Sequence, residues 1–190
     1  MNSFSPFCSA SFSWIPNAFN RSVPLWIWLT RTETRDVYKR QHVDASKGMV
    51  GWAKENARSS GLESAPIRWI VDDCVKFVER EIRRGNHYDG IIMDPPSYGR
   101  GPKGEIWKIE ESIHPLVKLC AQLLSDDPLF YLINSYTTGL APAVLTYMLS
   151  IEVGKKHGGF VRSEEVGLPV TRTGLILPCG ASGRWSSTPV

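Results

Sequence analysis

Tyr88-Asp89-Gly90-Ile91-Ile92-Met93-Asp94-Pro95-Pro96-Ser97-Tyr98 is the stretch on which the reading of this chain turns. From Tyr88 to Met93 it is almost continuously apolar, broken only by Asp89, and Asn86 stands just before it. A short, almost wholly apolar run bounded by turn residues suits a strand buried on both faces of a sheet. The run stops at Asp94 and passes into two prolines, which have no N–H donor and a fixed φ. The result is a rigid, donor-poor ledge of carbonyl acceptors at the strand's carboxyl end. Such a ledge can hold a planar exocyclic amine while the nearby ring of Tyr98 stacks on the base that carries it. An ordinary Pro-Pro turn is the competing reading, and its neighbours decide between them.

Working outward, strands alternate with helices. Gln41 to Ala45 contains β-branched Val43 and ends near Asp44, which reads as a buried strand delivering an acid to its carboxyl edge. Ser46 is placed to cap a helix in which Met49, Val50, Trp52, Ala53 and Ala57 recur at helical spacing and Gly61 ends the pattern. Ile67 to Val71 reads as a strand ending in Asp72-Asp73, and Val75, Phe77, Val78 and Ile82 form the next helical stripe. Beyond the ledge come a Gly- and Pro-rich loop from Ser97 to Gly104 and a helix near Ile113 to Leu124. A strand at Leu129 to Asn134 and a helix near Pro142 to Ser150 follow. Gly159 to Pro169 and Thr171 to Cys179 look like a terminal hairpin. The alternation predicts an α/β fold with a mainly parallel sheet and an antiparallel pair last.

Three acids therefore fall at the carboxyl ends of successive strands: Asp44, Asp73 and Asp94. That edge is where open α/β sheets bind ligands. Asp44 is placed to accept from the ribose hydroxyls of a nucleoside. Asp73 can accept from the exocyclic amine of adenine while the Cys74 backbone N–H meets a ring nitrogen. Asp73 is equally readable as a plain helix cap.

Composition limits the function classes. The chain has 190 residues, 42% of them apolar, and a net charge of +3. All of that excess lies in residues 1 to 41, which hold five basic and two acidic side chains, so the remaining 149 residues are neutral. The charge of the remaining part therefore says nothing about nucleic acid. Arg80, Arg83, Arg84, Arg100, Lys103 and Lys108 suit an RNA groove or a solvated helix end equally well. The run Leu25 to Leu29 is far short of the roughly 20 residues of a membrane span. The cysteines at 8, 74, 120 and 179 and the four histidines show no metal-ligand spacing, so no metal is expected, and free thiols point to a cytoplasmic setting.

Within the basic segment, Asp36-Val37-Tyr38-Lys39-Arg40-Gln41 looks like a forward translation of the transposon mosaic end used to fragment DNA for sequencing, GAT GTG TAT AAG AGA CAG. Residues 1–41 are accordingly read as a non-native or disordered segment, 42–185 as a partial domain and 186–190 as a tail. A chance basic linker is the alternative. Sequencing codons 30 to 45 from intact genomic DNA separates the two.

With these residues in view, the chain resembles the class I S-adenosylmethionine-dependent methyltransferases. More narrowly, it resembles the large-subunit ribosomal RNA cytosine and guanine methyltransferase group and its relatives. The likeness rests on Tyr88 to Tyr98, on His42-Val43-Asp44-Ala45-Ser46 and on Leu177-Pro178-Cys179-Gly180-Ala181. It implies a Rossmann-like sheet with a reversed last strand and S-adenosylmethionine as cofactor. It also implies a nucleic-acid substrate, ribosomal RNA in particular. Asp44, with Ala45 and Ser46, would take the ribose, Asp73 and Cys74 the adenine. Asp94, Pro95 and Pro96 would line the methyl-transfer edge, with Tyr98 near the acceptor.

Two departures stand out. The resembled group has a first strand and a Gly-rich turn just before the strand holding Asp44, where the cofactor's methionine part approaches the backbone. Here no glycine precedes Gly48. Val23 to Leu29 is apolar enough for a strand, yet too few residues separate it from Asp44 for a parallel crossover, which needs a dozen or more. The expectation is a sheet lacking its proper central strand, with weak or no cofactor binding. The second departure is at Asn134-Ser135-Tyr136, where related C5-cytosine enzymes carry a cysteine nucleophile and this chain has none. That argues against covalent C5 chemistry. Transfer to a nitrogen by alignment alone needs no such residue.

Overall fold

In a computed structural model, the residues described are 26–31, 40–100, 105–137 and 139–189. Cys8 and Lys103 lie outside them, as does most of the mosaic-end hexapeptide. A seven-stranded mixed sheet organises the described part, in the order β3-β2-β1-β4-β7-β9-β8. Its strands are β1 (Trp26–Thr30), β2 (Arg40–Asp44), β3 (Ile67–Val71), β4 (Gly90–Asp94), β7 (Phe130–Ser135), β8 (Phe160–Pro169) and β9 (Ile176–Ser186). A separate small hairpin, β5 (Tyr98–Arg100) and β6 (Ile106–Lys108), forms in the loop after the prolines.

The helices follow the sequence closely. α1 (Lys47–Ser59) is capped by Ser46, whose hydroxyl accepts from the Met49 N–H, and Gly61 leaves it with φ +71°. α2 (Cys74–Arg83) is capped by Asp73. α3 (Ile109–Ala121) begins earlier than its apolar stripe suggests. Glu110 and Glu111 favour its amino end, and Pro115 lies within the helix rather than at its start. α4 (Pro142–Leu149) opens on proline and runs through a π turn at Ser150–Gly154. The last hairpin strand extends to Ser186, beyond the expected end near Cys179.

β2 to β3 steps outward along the sheet and β3 to β4 returns across it. Crossovers of one hand therefore put α1 on one face and α2 and α3 on the other. The second face carries the core: Ile27, Leu29, Val43, Ile91, Met93, Tyr131, Ile133 and Trp185 pack with Phe77, Val78, Leu116, Val117 and Leu145. On the first face the rings of Trp28, His42 and Trp69, from β1, β2 and β3, cluster at tilted and edge-to-face angles, with the His42 ring centroid 5.0 Å from that of Trp28 and 5.3 Å from that of Trp69. His42 is thus buried, and burial pushes its pKa down to about 4.

The central position is the main correction to the sequence reading. It is filled by Trp26–Thr30, within the segment read as non-native, but the strand runs antiparallel to both neighbours. So short a link cannot make a parallel crossover, and the strand is reversed instead. The position is nonetheless occupied, because a five-residue segment carrying Ile27 and Leu29 toward the core can fill a gap between two strands in either direction. The fit is tight. A Cβ added at Gly90 would sit 2.6–2.7 Å from the Phe130 ring and from Thr30 Oγ1.

Candidate functional site

The reversed strand sets the geometry of the carboxyl edge. Trp26, the first residue of β1, pairs with Asp44 on one side and Asp94 on the other. The two acids thus stand level, two strand spacings or about 10 Å apart. The chain enters β1 between them. A parallel strand would leave there, into a turn.

Asp44 is fully buried at the end of β2. Its Oδ1 accepts from the Ser46 N–H at 2.6 Å, while Oδ2 is buried without a hydrogen-bond partner. Burial pushes its pKa up to about 6, against the lowering effect of the Ser46 bond. One strand along, Asp73 spends Oδ1 on the Lys76 N–H at 3.0 Å, so the capping role is real. Asp72 is ion-paired with Arg80 and accepts from the Asp73 N–H. The Cys74 thiol points at the Val43 carbonyl, 3.5 Å away, and burial, reinforced by the charge of Asp44, pushes its pKa well up. It is a packed residue rather than a nucleophile.

At the end of β4, burial pushes Asp94 up to about 7. The ledge is less open than its sequence suggests. The Trp107 indole donates to the Pro96 carbonyl at 2.7 Å, so that acceptor is already engaged. Ser97 and Thr137 share a hydroxyl hydrogen bond of 2.7 Å that ties the ledge to the loop after β7. Tyr98 is exposed on β5, and its hydroxyl accepts from Arg100 Nε at 3.0 Å. Tyr136, which no sequence motif singles out, belongs to this edge. Its pKa is pushed up to about 12 by burial and then by the charges of Asp94 and Cys179. Gly180 makes room there, since a Cβ on it would lie 2.1 Å from the Ser135 carbonyl. The signal available in the sequence was an aromatic residue directly after a strand that ends at the ligand edge.

Four of the described basic candidates are engaged by partners. Arg80 and Arg84 pair with Asp72 and Glu81, Lys108 pairs with Glu111, and Arg100 is held by Tyr98. Among the described residues no cluster of three or more metal-ligating side chains occurs, and no helix is long and apolar enough to cross a membrane.

The chain is 37% identical to the S-adenosylmethionine-dependent methyltransferase of Agrobacterium tumefaciens, whose crystal structure superposes with a TM-score of 0.69 over 77% of this chain and 48% of that one. By fold and by sequence the chain is similar to S-adenosylmethionine-dependent methyltransferases. The protein SMU.776, solved with SAH, shares the methyltransferase fold at 18% identity and a TM-score of 0.51, over 74% of this chain and 38% of that one. Among curated proteins, ribosomal RNA large subunit methyltransferase K of Neisseria meningitidis is 28% identical over 94 residues, 49% of this chain and 27% of that protein. Ribosomal RNA large subunit methyltransferase K/L of Pseudoalteromonas atlantica is 32% identical over 83 residues, 43% of this chain and 11% of that protein. No family model matches. The chain thus spans about a quarter or less of the length of these two curated relatives.

Methyltransferases of this class use S-adenosylmethionine, and its two halves fit this site differently. The buried, partnerless Asp44 Oδ2 is the acceptor a ribose hydroxyl would satisfy. The amino-acid half meets no glycine turn, because β1 begins where that turn would start and no glycine precedes Gly48.

Proposed function

We propose that this chain is a piece of an S-adenosylmethionine-dependent methyltransferase whose intact parent methylates nucleic acid, ribosomal RNA in particular. One observation carries the reading: the buried Asp44 and the Asp94-Pro95-Pro96 ledge lie level across a single strand at the ligand edge of the sheet. The names of the curated relatives support ribosomal RNA as the substrate and, with it, a cytoplasmic setting.

When bound, the cofactor supplies a methyl group on a positively charged sulfur. The chain's own residues would bind and orient. Asp44 accepts a ribose hydroxyl, and Asp73 and the Cys74 N–H meet the adenine edge. The Asp94 carboxylate accepts from an amine N–H of the methyl acceptor, and with its pKa near 7 it can hold the proton that nitrogen releases. The Pro95 carbonyl is the second acceptor for that amine, since Pro96 is engaged by Trp107. Tyr98 and Tyr136 border the ledge. No cysteine stands at Asn134-Ser135-Tyr136, where related C5-cytosine enzymes carry their nucleophile, so nitrogen is the favoured acceptor.

In the chain as it stands the reversed strand impairs this activity, which makes a non-catalytic fragment the second reading. Radiolabelled methyl transfer to total RNA, by a protein with its native amino terminus restored, tests the proposal. Labelled RNA that disappears with Asp94→Ala supports it. Binding of a nicotinamide dinucleotide without methyl transfer would overturn it.

A further inference from the structure

The reversal of β1 has a chemical consequence at the edge between Asp44 and Asp94. An anionic group bound at the turning point of an open α/β sheet is normally met by backbone N–H donors of a glycine turn and a helix amino terminus following the central strand. Here the central strand starts at that point. Its carboxyl end, Thr30, lies at the opposite edge, level with Gly90 and Arg40. The residues leading into it read Pro24-Leu25-Trp26, with no glycine and, at Pro24, no N–H. What flanks the position on both sides is carboxylate, Asp44 and Asp94. A ligand carboxylate there faces two acids.

The nucleoside side is intact. β2 and β3 pair in parallel through Asp44 and Val71, and the Asp72 N–H donates to the Asp44 carbonyl at 3.0 Å, which locks the two strand ends together. Asp44 Oδ1 is fixed by Ser46, and Oδ2 is buried and lacks a donor. An acceptor left so is costly, and a ligand hydroxyl relieves it.

We infer that this chain binds the nucleoside half of the cofactor and does not read its amino-acid half, so its ligand class is adenine nucleosides and their 5′-thioethers. The inference rests on the cofactor reading above and narrows it. The test is calorimetric titration of the full chain with 5′-methylthioadenosine and with S-adenosylhomocysteine, two thioethers with neutral sulfur, of which only the second carries the zwitterionic amino-acid group. The expected dissociation constants agree within about fivefold, where a recognised carboxylate and ammonium would separate them by tenfold or more. Asp44→Asn, checked for folding by circular dichroism, should weaken both ligands by at least about fivefold. A tenfold preference for S-adenosylhomocysteine overturns the inference and leaves the cofactor reading standing. Binding of neither ligand at millimolar concentration overturns both. Unchanged affinity in a folded Asp44→Asn protein removes the role given to that carboxylate. The two-ligand comparison on the unmodified chain decides the main point even if the variant fails to fold.

Discussion

β1 and β4 lie side by side with five residue pairs in register, yet they occupy the sheet on different terms. β4 is specified along its length: a glycine where Phe130 and Thr30 leave no room for a Cβ, buried Ile91 and Met93, then Asp94 and two prolines at the ligand edge. β1 supplies only what the slot requires physically, Ile27 and Leu29 toward the core and five residues of backbone to pair on both sides. The contrast separates two demands that a central strand normally meets together. Hydrogen bonding and burial accept either direction of chain. The chemistry of the edge depends on which end of the strand arrives there.

The comparison can be broken at the core. Ile27→Ala and Ile91→Ala should each cost about 2 to 5 kcal/mol in urea unfolding, because both side chains are fully buried in one cluster. A cost below about 1 kcal/mol for Ile27→Ala alone would mean that β1 is not part of the core.

A second measurement sharpens the account of the edge. Asp44 and Asp94 have raised folded pKa values, about 6 and about 7 against an ordinary 3.8, so they favour the fold when protonated. Their contribution is present below the ordinary carboxylate range and is lost as pH rises through 6 and 7. Buried His42, pushed down to about 4, works the other way: its contribution is present above 6.5 and is lost as pH falls toward 4. The two acids together outweigh the histidine, so the melting temperature should be higher at pH 5 than at pH 8. Asp94→Asn should narrow that difference, by on the order of 2 to 4 kcal/mol at pH 8. A melting temperature that rises steadily from pH 5 to 8 would contradict this.

Gly90→Ala, which forces a methyl group into Phe130 and Thr30, should cost about 1 to 3 kcal/mol and tests whether β1 presses on β4. The smallest effect is expected at the helix caps. Ser46→Ala and Asp73→Ala should each lose about 1 kcal/mol in the same assay.

Much of this was legible in the sequence because it is written in local patterns. The apolar run into Asp94-Pro95-Pro96, the caps at Ser46 and Asp73 and the helical stripes fixed β2 to β4 and their helices within a few residues. What local patterns cannot carry is a pairing between distant segments. That Trp26–Thr30 would enter the sheet depended on a gap left between β2 and β4, which no window of sequence records. The hydrogen bond from Trp107 to Pro96 and the place of Tyr136 beside Asp94 and Cys179 are likewise products of tertiary packing. His42 reads as an isolated polar residue until Trp28 and Trp69 are brought to either side of it.

The central claim is the direction of β1, and interstrand backbone contacts measured by nuclear Overhauser spectroscopy test it most directly. The account predicts contacts that place Trp26 opposite Asp94 and Asp44, and Thr30 opposite Gly90 and Arg40. Contacts placing Thr30 beside Asp94 and Asp44, as in a parallel strand, would contradict it.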